Sequence, residues 1–236
     1  MLIEYFGHAT FKITSSNGIN ILVDPYIVNN KACSKDIKDV NDIDLLLITH
    51  GAFDHFEDAF EIIMKNRPTV ISDFAIKEYL IQKGVPEDDI ISAVWGFNID
   101  FKGIRIRVVQ SNHVNSVKYD GGYITGIPLG FIVYDESDKS IYIPGDTSIS
   151  PHIKLLGELY EPDVCLMHIG SAPGFYSELT PYEAALATKW LKSKVVIPMH
   201  YQPEEEKELA LFSKNMKKLA PNIKIEKLLP GETLNY

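Results

Sequence analysis

The chain has 236 residues, a formal net charge of −9, and 45% hydrophobic and 23% charged residues. That length buries a sizeable core without disulfides, and the only cysteines, Cys33 and Cys165, fit a reducing cytoplasm rather than a disulfide framework. The acidic balance argues against a general nucleic-acid surface, which needs clustered Lys and Arg, although a divalent metal in a cleft would still admit an anionic substrate.

In chain order, the first elements read as strands: Leu2 to Phe6, Phe11 to Thr14 and Ile19 to Val23, with Ser15-Ser16-Asn17-Gly18 as a hairpin turn. Leu45 to Ile48 reads as a buried strand, Phe56 to Asn66 as a helix, Thr69 to Ile71 as a strand and Asp73 to Lys83 as a helix. Strands follow at Ile104 to Val109, Gly130 to Tyr134 and Ile141 to Ile143, then a helix over Pro151 to Leu159 and a strand over Val164 to Met167. Thr180-Pro181-Tyr182-Glu183 places a capping pair around a proline at the start of a helix running to Lys192. A strand over Val195 to Ile197 and a helix over Pro203 to Leu219 complete the pattern, the latter opened by the acidic cluster Glu204 to Glu206. No linker or long repeat interrupts it, so the expectation is one layered α/β (α+β) domain over residues 1–236. No apolar run reaches the roughly 18 residues of a membrane span, and the opening MLIEYFGHATF lacks an export signal, so no membrane and a cytoplasmic location are expected.

The chemistry gathers behind the apolar runs. IEYFG leads to His8, ILV to Asp24, LLLIT to His50, RIRVVQSN to His113, IYIPG to Asp146, VCLM to His168 and VVIPM to His200. Taken singly, a histidine after a strand is more often a surface or hydrogen-bonded residue, and Asp24 and Asp146 could be turn or cap residues. Jointly they point to a site at strand ends, where loops hold side chains on a rigid base. Only His152, inside a helical stretch, falls outside the pattern. The densest cluster is Thr49-His50-Gly51-Ala52-Phe53-Asp54-His55, whose imidazoles and carboxylate suit zinc, manganese or iron.

That cluster resembles the Thr-His-x-His-x-Asp-His signature of the metallo-β-lactamase superfamily. The resemblance runs through YFGHATFKI, ILVDPY, LLLITHGAFDHFED, SNH, GIPLGFIV, IYIPGDT, IGS with EAALA, and VIPMHY, and is nearest to compact hydrolases similar to the ascorbate-6-phosphate lactonases. It implies an αββα sandwich in which His50 and His113 hold a first metal, Asp54, His55 and His200 a second, and Asp146 bridges. The sequence departs from the signature at Ala52, whose methyl group stands in place of the second histidine. The centre then holds one ion in the intact second position, or two with a substitute ligand, His168 first and His8 second, or it has lost turnover. The expected function is hydrolysis of an ester-like bond in a small molecule, a lactone or phosphodiester, with one or two divalent ions. A catalytically degenerate metal- or ligand-binding protein of the same fold is the alternative. Asp54 would orient the attacking water, His8 would bind substrate or protonate a leaving group, and Asp24 would fix a ligating histidine. The glycine-containing stretches 121–130 and 170–180 are expected as pocket walls, with Tyr119, Tyr123, Phe175 and Tyr176 as candidate substrate contacts or simple packing. Homo-oligomerisation is left open.

Overall fold

The computed structural model describes residues 1–170, 179–201 and 206–236. Phe175, Tyr176 and the start of the acidic cluster therefore lie outside the described residues. The first half contains β1 (Leu2–Gly7), β2 (Thr10–Thr14), β3 (Asn20–Val23), β4 (Leu45–Leu47), α1 (Phe53–Phe56), α2 (Ala59–Asn66), β5 (Thr69–Ser72), α3 (Phe74–Gln82) and β6 (Ile90–Ser92). Next come β7 (Asn98–Phe101), β8 (Ile104–Gln110), β9 (Ser116–Tyr119), β10 (Gly122–Thr125), β11 (Leu129–Tyr134), β12 (Ser140–Ile143) and α4 (Pro151–Leu159). The chain closes with β13 (Val164–His168), α5 (Pro181–Leu191), β14 (Val195–Met199), α6 (Glu206–Leu219), β15 (Lys224–Ile225) and β16 (Thr233–Asn235).

The strands form two seven-stranded sheets, ordered β16-β1-β2-β3-β4-β5-β6 and β15-β14-β13-β12-β11-β8-β7, plus the separate hairpin β9-β10. Side-chain alternation explains the layers. In β4, Leu45 and Leu47 face the opposite sheet while Leu46 packs under α2 and α3. In β13, Val164 and Leu166 face inward while Cys165 and Met167 pack under α4, α5 and α6. Burial on both faces is why these strands read as unbroken apolar runs rather than as alternating ones. The result is the expected αββα order. Among the described residues no helix is long and apolar enough to cross a membrane.

Topology brings the chemistry to one edge. β1 is antiparallel to β2 and β2 to β3, so β1 runs with β3 and its parallel neighbour β4. In the other sheet β8 and β12 are both antiparallel to β11, and β12, β13 and β14 are parallel. Within each sheet the strands that end in His or Asp therefore point the same way.

Two local expectations are corrected. The helix expected over Phe56 to Asn66 is two pieces, because Asp58 turns its carboxylate to accept the backbone N–H groups of Ile27 and Val28 (2.5 and 3.1 Å). The stretch 121–130, expected as a loop, instead supplies β10 and the start of β11. Asp120 and Gly121 are the turn residues of this hairpin, in which Tyr119 pairs with Gly122.

Candidate metal centre

His8, Asp24 and His200 all adopt left-handed backbone (φ 58°, 44° and 57°), as does Gly145 just before Asp146 (φ 61°). Non-glycine residues enter this region at a cost that surrounding contacts must offset, and such strain concentrates at functional sites. Here the offsets are visible. The His200 N–H donates to the His8 carbonyl (3.0 Å), stitching the ends of β1 and β14 together across the two sheets. A Cβ on Gly145 would sit 2.7 Å from Thr49 Cβ, so glycine lets the β12 end close onto the β4 end.

Asp24 organises the first sheet's contribution. Its Oδ1 accepts the Thr49 N–H (2.8 Å), and its Oδ2 accepts the Thr49 hydroxyl (2.7 Å) and His55 Nδ1–H (2.8 Å). With its proton committed to Asp24, the Thr49 hydroxyl accepts from His50 Nδ1 (3.0 Å). Both imidazoles thus present Nε2 to the centre. His200 does the same, since its Nδ1 donates to the Gly170 carbonyl (3.1 Å).

These three Nε2 atoms surround Asp146. His200 Nε2 is 3.3 Å from Asp146 Oδ2, His55 Nε2 is 3.4 Å from Oδ1, and His50 Nε2 is 4.0 Å from Oδ2. Asp54, in the first turn of α1, lies 3.5 Å from His200 Nε2 and 3.0 Å from His8 Nε2 through Oδ2. Among the described residues, two groups have one donor atom per residue all within 4.8 Å of one another: His8, Asp54, His55 and His200, and His50, His55 and Asp146. His113 is half-buried, its ring edge-on to His50 at 5.0 Å, and belongs to neither group. His168 is fully buried at the end of β13, 6.2 Å from the His200 ring, and also stands outside both.

The centre has the electrostatics of a cation site. Burial alone would lower His200, but the Asp146 and Asp54 carboxylates raise it from 6.5 to about 10. Burial likewise opposes the charge on His55, yet Asp146 and Asp24 raise it well above the usual imidazole range. Against burial, the same contacts with His200 and His55 hold Asp146 well below the usual carboxylate range. His50 is lowered by burial and by His55, and His8 is lowered to about 4 by burial and by His200. Buried carboxylates and protonated imidazoles here balance charge that one divalent ion would balance directly.

The donor set fits a metal. The Nε2 atoms of His50, His55 and His200 and the Oδ1 of Asp146 are buried with no hydrogen-bond partner among the described residues, an arrangement that a folded protein rarely tolerates unless something else satisfies those atoms. Imidazole and carboxylate donors match zinc, manganese or iron.

The beta-lactamase superfamily domain model matches residues 2–200. This chain belongs to that superfamily. Within it, the chain is 36% identical to a UPF0173 metal-dependent hydrolase of Methanosphaera stadtmanae, across 98% of each protein. It is 34% identical to one of Rubrobacter xylanophilus, across 98% of this chain and 95% of that one. Among solved structures, the metallo hydrolase Igni18 of Ignicoccus hospitalis superposes with a TM-score of 0.82 at 31% identity, covering 99% of this chain and 97% of that one. The αββα layering of the superfamily member and its relationship to metal-dependent hydrolases agree with the sequence reading.

Two structural supports of the centre were not singled out by the sequence. Thr49 relays Asp24 to His50, and its place just before the histidine is the signal that marks it. Asn115, whose Oδ1 accepts the Gly51 N–H (2.9 Å), carries no such signal, because only the fold brings residues 51 and 115 together.

Proposed function

We propose that this chain is a metal-dependent hydrolase of an ester-like bond in a small molecule, a lactone, a phosphodiester or a related substrate. The observation that carries the reading is the convergence on the Asp146 carboxylate of three buried imidazole nitrogens that have no hydrogen-bond partner among the described residues. His55, Asp54 and His200 would hold one ion with Asp146 in the intact second position, while His50, Asp146 and His113 would form the poorer first position, deprived of a donor by Ala52. Zinc and manganese suit these ligands best, and iron is also compatible. A bound divalent ion supplies Lewis acidity, which acidifies water and polarises a carbonyl or phosphoryl oxygen.

The chain's own residues do the rest. Asp24 and Thr49 fix the rings of His55 and His50 so that no reorientation is needed during reaction. Asp54 accepts the hydrogen bond of His8 on Oδ2, which leaves Oδ1 to orient a water. His8, neutral near pH 7 because burial and His200 lower it, can pass a proton to a departing oxygen only after taking one up, which its contact with Asp54 assists.

Ala52 favours one competing reading, a metal- or ligand-binding protein without turnover. Elemental analysis of untagged protein, with rates on a panel of chromogenic lactones, phosphodiesters and esters, separates the two. A bound transition metal and turnover, both lost in His55→Ala and Asp146→Ala, are expected. Bound metal with rates equal in wild type and variants would establish the non-catalytic reading.

A further inference from the structure

Beside the metal centre runs a groove of about 450 Å³, and its near end is formed by Gly51, Ala52 and Phe53. Those residues sit in the chain between His50 and Asp54. The groove is walled by Phe53 and Phe56 of α1, Phe60 of α2, Tyr79 of α3, and Val117 and Tyr123 of the β9-β10 hairpin. Phe53 is 57% exposed and Tyr123 66% exposed. Large aromatic side chains left open around one concavity mark a binding surface more than scattered exposure does.

The walls are pre-formed. Asn115 accepts the Gly51 N–H, donates to the Ile127 carbonyl (3.0 Å), and takes the Gly126 N–H on its own carbonyl (3.1 Å), so the hairpin base is tied to the metal-binding loop. Asp73, buried at the start of α3, accepts the Ile127 N–H (3.0 Å) and ties the same base to the helix layer. A Cβ on Gly51 would lie 2.5 Å from Val117 Cγ2, so glycine there is what lets the hairpin approach the metal loop this closely.

Charge and size select the occupant. Among the described residues, Glu57 and Lys118 are the groove's charged residues and are of opposite sign, so these walls present no net charge for an anion or a cation to exploit. Its volume lies in the range of small-molecule pockets, about 300 to 1,000 Å³, and a protein interface needs a far broader surface.

We propose that the groove binds a neutral apolar arm, alkyl or aryl, of the molecule whose scissile bond is presented to the metal centre. The inference rests on the hydrolase reading for its geometry, but binding of the arm is measurable without turnover. The probes are γ-valerolactone, γ-octalactone and γ-decalactone, titrated into metal-free protein and followed by amide NMR shifts. Affinity should rise steeply with chain length, roughly fourfold per buried methylene, with shifts at Val117, Tyr123 and Phe60. Phe60→Asp and Tyr123→Asp, two exposed positions outside the metal centre, should each flatten that rise while leaving γ-valerolactone affinity within about twofold, a threshold comparable to the ordinary scatter of surface substitutions.

No binding in wild type, an affinity independent of chain length, or an unchanged rise in a folded variant would each overturn the proposal. So would a change from dimer to monomer in both variants with the chain-length response intact, because the patch would then be an interface between copies. Metal-loaded protein that hydrolyses γ-valerolactone but shows no chain-length response would sink this inference and leave the hydrolase reading standing. Chain-length-dependent binding without turnover on any of the panel would do the reverse.

Discussion

The Asp24 carboxylate receives the Nδ1 proton of His55 at 2.8 Å, and the same oxygen takes the Thr49 hydroxyl at 2.7 Å. One buried carboxylate therefore orients two imidazoles, His55 directly and His50 through Thr49. Carboxylates in this position raise ligand basicity and hold the ring, and their loss typically costs about 10- to 100-fold in metal affinity. Asp24→Ala should weaken metal binding by that factor, measured by competition with a chelating dye. Wild-type affinity in the variant would mean that packing alone sets the His55 ring.

Ala52 precedes the first residue of α1, at φ −68° and ψ 148°, an extended conformation that any residue adopts without strain. Ala52→His should therefore fold and restore the missing donor to the poorer position. Elemental analysis should show a rise from one ion per chain to about two, the count a completed two-metal centre of this ligand type requires. Two ions already present in wild-type protein would show that another residue completes that position, and His168→Ala or His8→Ala would then identify it.

Much of this was legible in the primary structure, and for a physical reason. Strands buried on both faces, such as β4 and β13, must be continuously apolar, so the His or Asp that ends each run stands out. The six strands not expected, β6, β7, β9, β10, β15 and β16, are two to four residues long, too short for period-two alternation to rise above noise. The Asp-Gly turn of the β9-β10 hairpin was readable, but its glycines suggested an open loop. Which imidazole nitrogens face the centre, and that His8 joins Asp54, His55 and His200 while His113 stands apart from His50 and Asp146, depend on contacts between chain ends far apart in sequence.

His8 tests that last point. Its Nε2 lies 3.0 Å from Asp54 Oδ2, which suits a proton-handling partner of Asp54 and also a ligand. As a proton-handling residue, its change to Ala should lower turnover by about a hundredfold with metal content unchanged. Loss of metal along with turnover would instead make His8 a ligand.

The raised imidazoles give a pH signature. The folded-state value of His200, about 10, lies above its ordinary 6.5, so His200 contributes stability to metal-free protein that is fully present below about 6.5. That contribution is lost as pH rises through about 10. Thermal melts in chelator should therefore show a declining midpoint over this interval, and His200→Gln, which cannot be charged, should show a shallower decline. Metal loading should release protons at neutral pH, detectable as a buffer-dependent heat, and apparent affinity should strengthen with rising pH over the same range. Equal heats in buffers of different ionisation enthalpy would contradict the assignment of protons to His55 and His200.

The hairpin anchor makes a prediction about stability. Asp73 accepts the N–H groups of Ala75 and Ile76 (3.2 Å each) as the cap of α3, and the Ile127 N–H (3.0 Å) at the base of β11. Asp73→Ala removes a cap and leaves the part-buried Ile127 N–H unpaired, a loss of about 2 kcal/mol. A Cβ on Gly126 would fall 1.7 Å from the same carboxylate oxygen and 2.8 Å from Ala75 Cβ, so Gly126→Ala should also destabilise, through a clash whose larger part disappears when Asp73 is removed. The two changes should therefore be far from additive: in the Asp73→Ala background, Gly126→Ala should cost markedly less than in wild type. Denaturant unfolding of the four proteins measures this directly. Additive losses would place the damage at Gly126 in the backbone or against Ala75, not in its approach to the Asp73 carboxylate.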